Sequence, residues 1–306
     1  MHQDPSTIVL IDGYAMIYRG FHATPMFTGP SGKPTNAIYA MARFLMSLDK
    51  RLPHGFGAMM LDKGRCARRM ELLPQYKAQR PPMPEELRCQ IAGIRDWVAA
   101  AGWTIIEQEG IEADDLIAGV SLHREGHPVA IISYDKDLAQ LADADRQVVI
   151  MQPGPGDTWS TLDRQGVIEK FGIPPEALRD YLAMVGDTAD NIPGVAGVGP
   201  KTAVKLIEQF GTIDAILANP DAIASVTLRE KMRAAGELLT KNRSLVKLDD
   251  VLPPEWKGVS SLHRHEPDYP RLLELCDGFG FKSLRPHIER ELAARQPKPL
   301  FQPELF

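Results

Sequence analysis

An apolar, β-rich run stands close to the start of the chain and ends in an acid: Thr7-Ile8-Val9-Leu10-Ile11-Asp12-Gly13. Its residues do not alternate between apolar and polar, which is typical of a strand buried on both faces. Two further runs follow the same pattern, 57–61 before Asp62 and 128–133 before Tyr134-Asp135-Lys136-Asp137. Each run therefore predicts a buried strand with acids at its carboxyl end.

Segments with helical periodicity separate these strands at 35–48, 84–101 and 113–123, and weaker strand patterns occur at 104–108 and 148–151. Strands that alternate with helices predict an α/β fold, a mainly parallel central sheet flanked by helices. In such sheets ligands bind beyond the carboxyl ends of the strands. We therefore expect the acids at the strand ends to meet at one edge of the sheet.

The Pro/Gly-rich loop 152–157 predicts a boundary between two parts of the chain. We expect an α/β core over 1–155, a helical region over 156–292 that begins with helices at 163–171 and 175–185, and a tail over 293–306. Three prolines in the last eleven residues predict that the tail is flexible.

The composition is that of an ordinary soluble globular protein, with 44% hydrophobic and 25% charged residues in 306. There is no secretory signal and no run of about 18 apolar residues, so we expect a cytoplasmic monomer without a membrane partner. Cys66, Cys89 and Cys276 lie far apart without C-x-x-C spacing. This spacing argues against a disulfide framework and a structural zinc site.

Three carboxylates, Glu112, Asp114 and Asp115, stand in four residues of the stretch Gly110-Ile111-Glu112-Ala113-Asp114-Asp115-Leu116-Ile117. A single acid in a first helical turn is usually explained by the helix dipole, an effect of about 0.3 to 1 kcal/mol. Three acids in one turn repel one another, which that effect does not explain. Glu112 and Asp115 share a helix face and Asp114 is offset by about 100°, so the turn is predicted to bridge two metal sites.

The acids of the strand ends, of this turn and of the stretch 186–203 form one candidate set. Its nine members are Asp12, Asp62, Glu112, Asp114, Asp115, Asp135, Asp137, Asp187 and Asp190. Two like charges 4 Å apart cost about 4 kcal/mol at an effective dielectric of 20, so such a set requires cations. Oxygen ligands without His or Cys favour Mg²⁺ or Mn²⁺ over Zn²⁺. Two such ions can activate a water and stabilise the leaving oxygen of a phosphodiester.

The net charge of −5 argues at first against a nucleic-acid partner. Without the nine acids, however, 31 acidic residues face 35 basic ones, and the rest of the chain carries +4. The segment 63–80 holds six basic residues, one acid and Tyr76 beside Lys77. Such a segment suits single-stranded nucleic acid, with cations on phosphates and the ring stacked on a base; a solvated helix with one packed tyrosine is the alternative.

A glycine-rich turn at 194–199 opens the helical pattern that continues to Phe210. Backbone N–H groups in such a turn can bind one phosphate, although a tight connection is the simpler explanation of the glycines alone. Asp187 and Asp190 just upstream make the combination more specific.

Between Ile8 and Asp250 these motifs resemble, in order and spacing, the flap endonucleases and the 5′-to-3′ exonuclease domain of bacterial DNA polymerase I. The matching segments are Asp12-Gly13, Tyr18-Arg19, Phe21-His22-Ala23, 76–84, 110–115, Asp135-Lys136-Asp137, Gln140-Leu141 and 186–203. The resemblance implies a metal-dependent, structure-specific nuclease for DNA with 5′ flaps, nicks or free 5′ ends. It also implies work in replication or repair at the bacterial nucleoid, such as Okazaki fragment processing.

The resemblance also implies roles for individual residues. Asp12, Asp62, Glu112 and Asp114 would mainly form the first metal site, and Asp115, Asp135, Asp137, Asp187 and Asp190 would surround the second. Tyr76, Lys77 and Arg80 would act catalytically in a helical arch over about 63–95, with Arg19 near the scissile phosphate. DNA contacts would come from Lys63, Arg65 and Arg69. A helix, three-turn, helix element with Gly194, Gly197, Gly199, Lys201 and Thr202 would hold duplex DNA and often a K⁺ ion.

Two positions depart from the family pattern. Tyr134 stands where Gly or Ala is usual, and a ring beside the metals would change the fit of the substrate. Arg68 replaces a usual Phe after Asp62.

The chain ends in Gln302-Pro303-Glu304-Leu305-Phe306. This end resembles the Q-x-x-L-F peptide that docks bacterial proteins on the sliding clamp, with Gln302, Leu305 and Phe306 as anchors. The alternative is an apolar chain end without a function. The chain lacks a polymerase domain, so we expect a stand-alone enzyme or an excised domain. Two rival functions stay open, a branched-DNA binding protein with little catalysis and a nuclease for RNA–DNA hybrids.

Overall fold

The computed structural model describes residues 7–52, 55–143, 145 and 147–295. The strands are β1 (Ile8–Asp12), β2 (Phe56–Lys63), β3 (Thr104–Glu109), β4 (Val129–Ile132), β5 (Val148–Pro153) and β6 (Trp159–Leu162). The first seven α-helices are α1 (Gly13–Ala23), α2 (Asn36–Arg51), α3 (Ala67–Leu72), α4 (Glu85–Arg88), α5 (Ile91–Ala100), α6 (Ala113–Leu122) and α7 (Arg164–Phe171). The others are α8 (Pro175–Val185), α9 (Pro200–Phe210), α10 (Ile213–Ala218), α11 (Val226–Ala234), α12 (Gly236–Leu245), α13 (Tyr269–Phe279) and α14 (Arg285–Arg295).

The strands form one six-stranded sheet in the order β3-β2-β1-β4-β5-β6. The pairs β1/β2, β1/β4 and β4/β5 are parallel. This arrangement confirms the predicted α/β fold with a mainly parallel sheet. Residues 8–11 of β1 are completely buried, as the unbroken apolar run predicts. Because β1, β2 and β4 run in the same direction, the acids that follow them lie at one edge of the sheet.

The Pro/Gly-rich loop, which we expected to separate two domains, instead lies inside the sheet. It connects β5 to β6, and these strands pair antiparallel from Ile150↔Leu162 to Pro153↔Trp159. The sequence 159–162 is short and partly exposed, so it carries no strong strand pattern of its own. The sheet therefore continues past residue 155.

The chain divides into two compact units, of which the first comprises 1–16, 52–82 and 105–263. This unit contains most of the sheet and one continuous apolar core that runs from Ile8 to Leu262. Helix α6 packs on β1 and β2. Its Gly119 faces the backbone of Val251 so closely that a Cβ would overlap the Val251 carbonyl group.

The second unit comprises 17–51, 83–104 and 264–306. Its core includes Trp97 and Phe281, whose ring centroids lie 5.7 Å apart. The single helix predicted over 84–101 is in fact divided into α4 and α5. Gln90 lies at the junction, buried, and its Oε1 accepts hydrogen bonds from the N–H groups of Ala37 (2.8 Å) and Ile38 (3.3 Å). The side chain of Gln90 thereby satisfies donors at the start of α2. No helix among the residues described above is both long and apolar enough to cross a membrane.

Candidate active site

The first acids of the site follow β1 and β2. Asp12, at the end of β1, accepts hydrogen bonds from the hydroxyl of Ser133 (2.6 Å) and the N–H of Ala15 (3.3 Å). Asp62, in β2, accepts one from the N–H of Ala113 (2.7 Å) at the start of α6. These bonds fix both carboxylates at the sheet edge predicted from the strand pattern.

Ser133 is a component of the site that the sequence reasoning missed. Its hydroxyl binds Asp12 and also accepts a hydrogen bond from the N–H of Asp135 (2.9 Å). Asp135 in turn accepts one from the N–H of Asp137 (2.8 Å). A polar residue that directly follows an apolar strand and stands two positions before Asp135 is the signal that could have identified Ser133.

We expect Ser133→Ala to slow cleavage by about 10- to 100-fold, as is typical when a residue supporting a ligand is lost. The Ser133 hydroxyl lowers the pKa of Asp12 against the larger opposing effect of burial. Its removal should therefore move the rising limb of the pH–rate profile to higher pH. Ser121→Ala is the matched control, because the hydroxyl of this buried serine donates to the carbonyl of Ile117 in its own helix. An unchanged profile would contradict the role of Ser133.

The acidic turn at the start of α6 divides into two parts. Glu112 precedes the first residue of the helix, and Asp114 and Asp115 lie in its first turn. Glu112 and Asp115 both contact Arg69, so they share a face as predicted. Asp114 lies in the field of Asp135, Asp12 and Asp62 instead.

Arg69, which we expected to contact DNA, is buried inside the protein. It is 3% exposed and forms ion pairs of 2.7 Å with both Glu112 and Asp115. Its buried guanidinium is therefore directed at carboxylates of its own chain and not at solvent. The prediction of a DNA contact for Arg69 was therefore wrong. The basic segment gives no sign in the sequence that this one of its arginines is buried.

The acids Asp187 and Asp190 lie in a tight turn after α8. Asp187 accepts hydrogen bonds from the N–H groups of Ala189 (2.8 Å) and Asp190 (3.4 Å), and it pairs with Lys136 at 3.0 Å. Asp190 is 8% exposed and pairs with Arg80 at 2.5 Å. The structure thus brings these two acids to the residues that follow β4.

Tyr76 and Lys77 enter the acidic cluster directly. Tyr76 is buried, and its hydroxyl donates to Glu112 and Asp190, each at 3.1 Å. Lys77 binds Glu112 at 2.7 Å. The expectation that the Tyr76 ring stacks on a base is wrong for this arrangement, because the ring is packed in the protein core.

The backbone of Lys77 is also unusual. Its φ of 54° lies in the left-handed region, and its N–H donates to the carbonyl of Asp190 at 3.1 Å. A non-glycine residue in this region costs on the order of 1–3 kcal/mol and persists where its surroundings enforce it. Side chains of the neighbouring turns also bind each other, Gln79 to Asn191 at 3.0 Å. The turn 75–80 is thus fastened to the turn 187–191.

The carboxylates of the cluster raise one another's proton affinity. Burial, with Asp135 and Asp62 nearby, raises the pKa of Asp12 to about 7 despite the hydrogen bond from Ser133. Burial and the charge of Asp135 raise the pKa of Asp137 to about 8. The pKa of Asp114 is also raised, by burial and then by Asp135 and Asp12. The negative field of the neighbouring acids, which contributes to these raised pKa values, would also attract cations.

The residues present suit hard divalent ions. Oδ1 of Asp137 is a buried oxygen without a hydrogen-bond partner, so a cation there would satisfy it. In the part of the chain that the structure describes, no three His, Cys, Asp or Glu side chains are placed to hold a metal ion as they stand. The carboxylates of Glu112, Asp187 and Asp190 are instead paired with Lys77, Lys136 and Arg80. Ions would take over charges that these basic groups now balance.

Raised carboxylate pKa values predict how the stability of the protein in EDTA depends on pH. In the unfolded chain an Asp titrates at a pKa of about 3.9, well below the folded values of Asp12 and Asp137. Between about pH 4 and pH 8 the folded state therefore binds more protons, and the free energy of unfolding falls as the pH rises. We expect calorimetry in EDTA to show Tm falling from about pH 5 to pH 8, and Mg²⁺ to reduce the fall. A Tm that rises over this range would refute the repulsion described here.

The contacts described for the remaining predicted residues do not test their roles. Lys63 and Arg65 are exposed, and Lys63 pairs with Glu107 at 3.1 Å. The hydroxyl of Tyr134 donates a hydrogen bond to the carbonyl of Pro153. Arg19 belongs to the second unit, and its place near a scissile phosphate stays a prediction. The residues Gln302, Leu305 and Phe306 lie outside the described part of the chain.

The glycine-rich turn precedes α9, with Gly199 directly before its first residue. Gly194 packs against the carbonyl of Val185 with no room for a Cβ, and Gly197 has a φ of 79°. Nothing lies within 4 Å of a Cβ built on Gly199, so the backbone there is open to a large ligand. Lys201 is exposed and Thr202 half-buried in the first turn of α9. The phosphate-binding role of this turn stays a prediction.

Two family models match the chain, "5′-3′ exonuclease, N-terminal resolvase-like domain" over residues 7–172 and "5′-3′ exonuclease, C-terminal SAM fold" over residues 173–270. The chain belongs to the 5′-3′ exonuclease family. The 5′-3′ exonuclease of Aquifex aeolicus is 35% identical over 297 residues, which cover 96% of this chain and 99% of that protein. DNA polymerase I of Pseudomonas aeruginosa is 36% identical over 95% of this chain, which spans only 32% of that relative.

Solved structures share the family fold. The T5 5′-exonuclease with bound divalent metal ions (zinc) superimposes with a TM-score of 0.64 at 22% identity, covering 94% of this chain and 98% of that one. The catalytic core of Rad2 in complex with DNA substrate has a TM-score of 0.59 at 14% identity, covering 96% and 93%. These likenesses show that the 5′-3′ exonuclease family fold extends over nearly the whole chain.

Proposed function

We propose that this chain is a structure-specific 5′ nuclease, a flap endonuclease and 5′-3′ exonuclease that hydrolyses DNA phosphodiesters with divalent metal ions. The observation that carries the proposal is a cluster of buried acids that act on one another, in which Asp135 raises the pKa values of both Asp12 and Asp137 and Oδ1 of Asp137 has no hydrogen-bond partner. A binding protein without catalysis would gain nothing from such repulsion. Membership of the 5′-3′ exonuclease family supports the same conclusion.

The ions would be Mg²⁺ or Mn²⁺, held by eight of the predicted acids: Asp12, Asp62, Glu112, Asp114, Asp135, Asp137, Asp187 and Asp190. Bound in pairs, such ions activate a water and neutralise charge on the leaving oxygen of a phosphodiester. Lys77 and Arg80 already reach this site, and their cationic groups would bind the scissile phosphate and its developing charge. Arg19 is proposed to bind the same phosphate.

The DNA would contact the exposed basic groups and the glycine-rich turn. Lys63 and Arg65 are exposed near the acidic edge, and the turn 194–202 would hold the duplex through its backbone N–H groups, with K⁺ as an additional ion. We propose that the enzyme acts as a monomer on 5′ flaps, nicks and free 5′ ends in the bacterial cytoplasm. This activity would serve replication or repair, including the processing of Okazaki fragments.

A cleavage assay tests the proposal. A 5′-labelled DNA flap is incubated with the protein and Mg²⁺, and with EDTA in place of Mg²⁺. We expect Mg²⁺-dependent products released near the flap junction, and the absence of such products would refute the proposal. Parallel substrates with an RNA flap or an RNA–DNA hybrid distinguish a nuclease directed at RNA. Binding to the DNA flap without cleavage would favour a branched-DNA binding protein.

The tail residues Gln302, Leu305 and Phe306 are proposed to dock on a bacterial sliding clamp. A short peptide that ends in Leu-Phe can enter an apolar groove at a modest ordering cost. Deletion of residues 302–306 should abolish clamp binding in a pull-down and leave cleavage of the free flap substrate unchanged. Unchanged clamp binding by the truncated chain would refute this part of the proposal.

A further inference from the structure

Arg69 forms a dense set of contacts beneath the acidic turn. Its two terminal nitrogens bind both oxygens of Asp115, at 2.7 and 2.8 Å, and one of them also binds Oε2 of Glu112 at 2.7 Å. Two parallel hydrogen bonds from one guanidinium to one carboxylate form the most directional of ion pairs. Both partners are almost fully buried, Arg69 at 3% and Asp115 at 1% exposure.

The remaining donors of Arg69 bind the end of α12. Its Nε donates to the carbonyl of Leu245 at 3.1 Å, and a terminal nitrogen donates to that of Lys247 at 3.0 Å. The N–H of Asp249 also donates to Oδ1 of Asp115 at 2.9 Å. Asp115 therefore accepts three hydrogen bonds, two from Arg69 and one from Asp249. Because the carboxylate is almost fully buried, an ion that bound it would have to compete with these bonds.

Glu112 is held differently, since its two oxygens have different partners. Oε2 receives Arg69 and the hydroxyl of Tyr76, whereas Oε1 receives only Lys77, a side chain that is 20% exposed. Arg69 is buried and anchored on the backbone of the 245–247 segment, so it fixes the orientation of the carboxylate. Oε1 is then the oxygen that a cation could reach in place of the Lys77 ammonium group.

We propose that Arg69 is a positioning residue that keeps Asp115 away from the metal ions, orients Glu112 toward them, and joins this carboxylate to the end of α12. The proposal rests on the proposed nuclease function. It removes Asp115 from the nine predicted metal ligands and assigns it a structural partner. It also gives the buried Arg69 a role in the reaction.

Arg68 supplies a matched control on the same helix. It donates to the carbonyl of Ser244 at 2.6 Å and pairs with Asp249 at 2.5 Å, so it binds the same segment. Unlike Arg69, it has no recorded contact with Glu112 or Asp115. A loss that follows only from loosening the 244–249 segment should therefore appear equally in variants of either arginine.

The first experiment counts bound ions by titration calorimetry with Mn²⁺ in the absence of DNA. The variants are Asp115→Asn, Asp114→Asn and the double variant Arg69→Met with Asp115→Leu. The double variant removes both charges together and avoids leaving one buried and unpaired. We expect Asp115→Asn and the double variant to bind as many ions as the parent, and Asp114→Asn to bind fewer. One ion fewer in a folded Asp115→Asn variant would overturn the proposal.

The second experiment measures kcat and KM on the 5′ flap. Lysine cannot reproduce the two-pronged geometry, so Arg69→Lys should lower kcat by about 10- to 100-fold with KM nearly unchanged. Arg68→Ala should keep the parental kcat. Equal losses in both variants, or a parental kcat in Arg69→Lys, would overturn the proposal. If the parent does not cleave flaps, the nuclease function fails, while the ion count still tests Asp115.

Discussion

Asp114→Asn is expected to abolish flap cleavage and at the same time to stabilise the protein in EDTA. Asp114 lies in the field of Asp12, Asp62 and Asp135, and no hydrogen bond to its side chain is recorded in the described part of the chain. An amide of the same shape removes this repulsion, and we expect Tm in EDTA to rise by about 2 to 4 °C for each kcal/mol gained. The ions contribute several kcal/mol to the transition state, so kcat should fall by roughly 10³-fold or more.

Calorimetry and single-turnover cleavage provide the two measurements. Asp250→Asn is the control, because Asp250 is half exposed and pairs only with His123. This control should change neither kcat nor Tm appreciably. A lower Tm of Asp114→Asn in EDTA would mean that the Asp114 carboxylate stabilises the folded protein, which would contradict the repulsion inferred above. Parental cleavage would remove Asp114 from the metal site.

Lys77→Ala should reduce cleavage by roughly 10²- to 10³-fold, the range expected when a group that stabilises transition-state charge is lost. In EDTA the same variant should be less stable, since Glu112 and Asp190 lose their nearest ammonium group. Its effect on stability is thus opposite in sign to that of Asp114→Asn. A saturating Mg²⁺ concentration should restore the stability and leave the loss of rate.

The control for Lys77 is Lys170→Ala, which removes an exposed lysine on α7 that lies over the ring of Phe171. Single-turnover rates at saturating enzyme separate the chemical step from product release. A parental rate for Lys77→Ala would exclude a catalytic role for Lys77. Equal losses in the two lysine variants would indicate a nonspecific effect of charge on DNA binding.

Much of the site was predictable because its geometry follows from strand direction. An apolar run that ends in an acid predicts both a buried strand and the edge at which the acid lies, and Asp12, Asp62 and Asp135 follow this rule. The periodicity of α6 likewise predicted that Glu112 and Asp115 share a face. These inferences depend only on residues close together in sequence.

The partners of the acids could not be predicted, because they come from distant segments. Arg69 meets Asp115 across 46 positions of the chain, and Tyr76 meets Asp190 across 114. A basic segment looks the same in sequence whether its side chains face phosphate or a buried carboxylate. The buried contacts of Asp115 with Arg69 and of Tyr76 with Asp190 were therefore missed for one reason: the sequence does not show which members of a charged segment are buried.

Gly119 is expected to tolerate substitution poorly, although it is not one of the predicted site residues. A single methyl group there would collide with the Val251 carbonyl and push the backbone of residues 249–251 away from α6. The N–H of Asp249 would then be drawn away from Asp115, which lies about one helical turn before Gly119. In a saturation library of α6, position 119 should thus be as intolerant of substitution as the catalytic acids, although it bears no side chain at all.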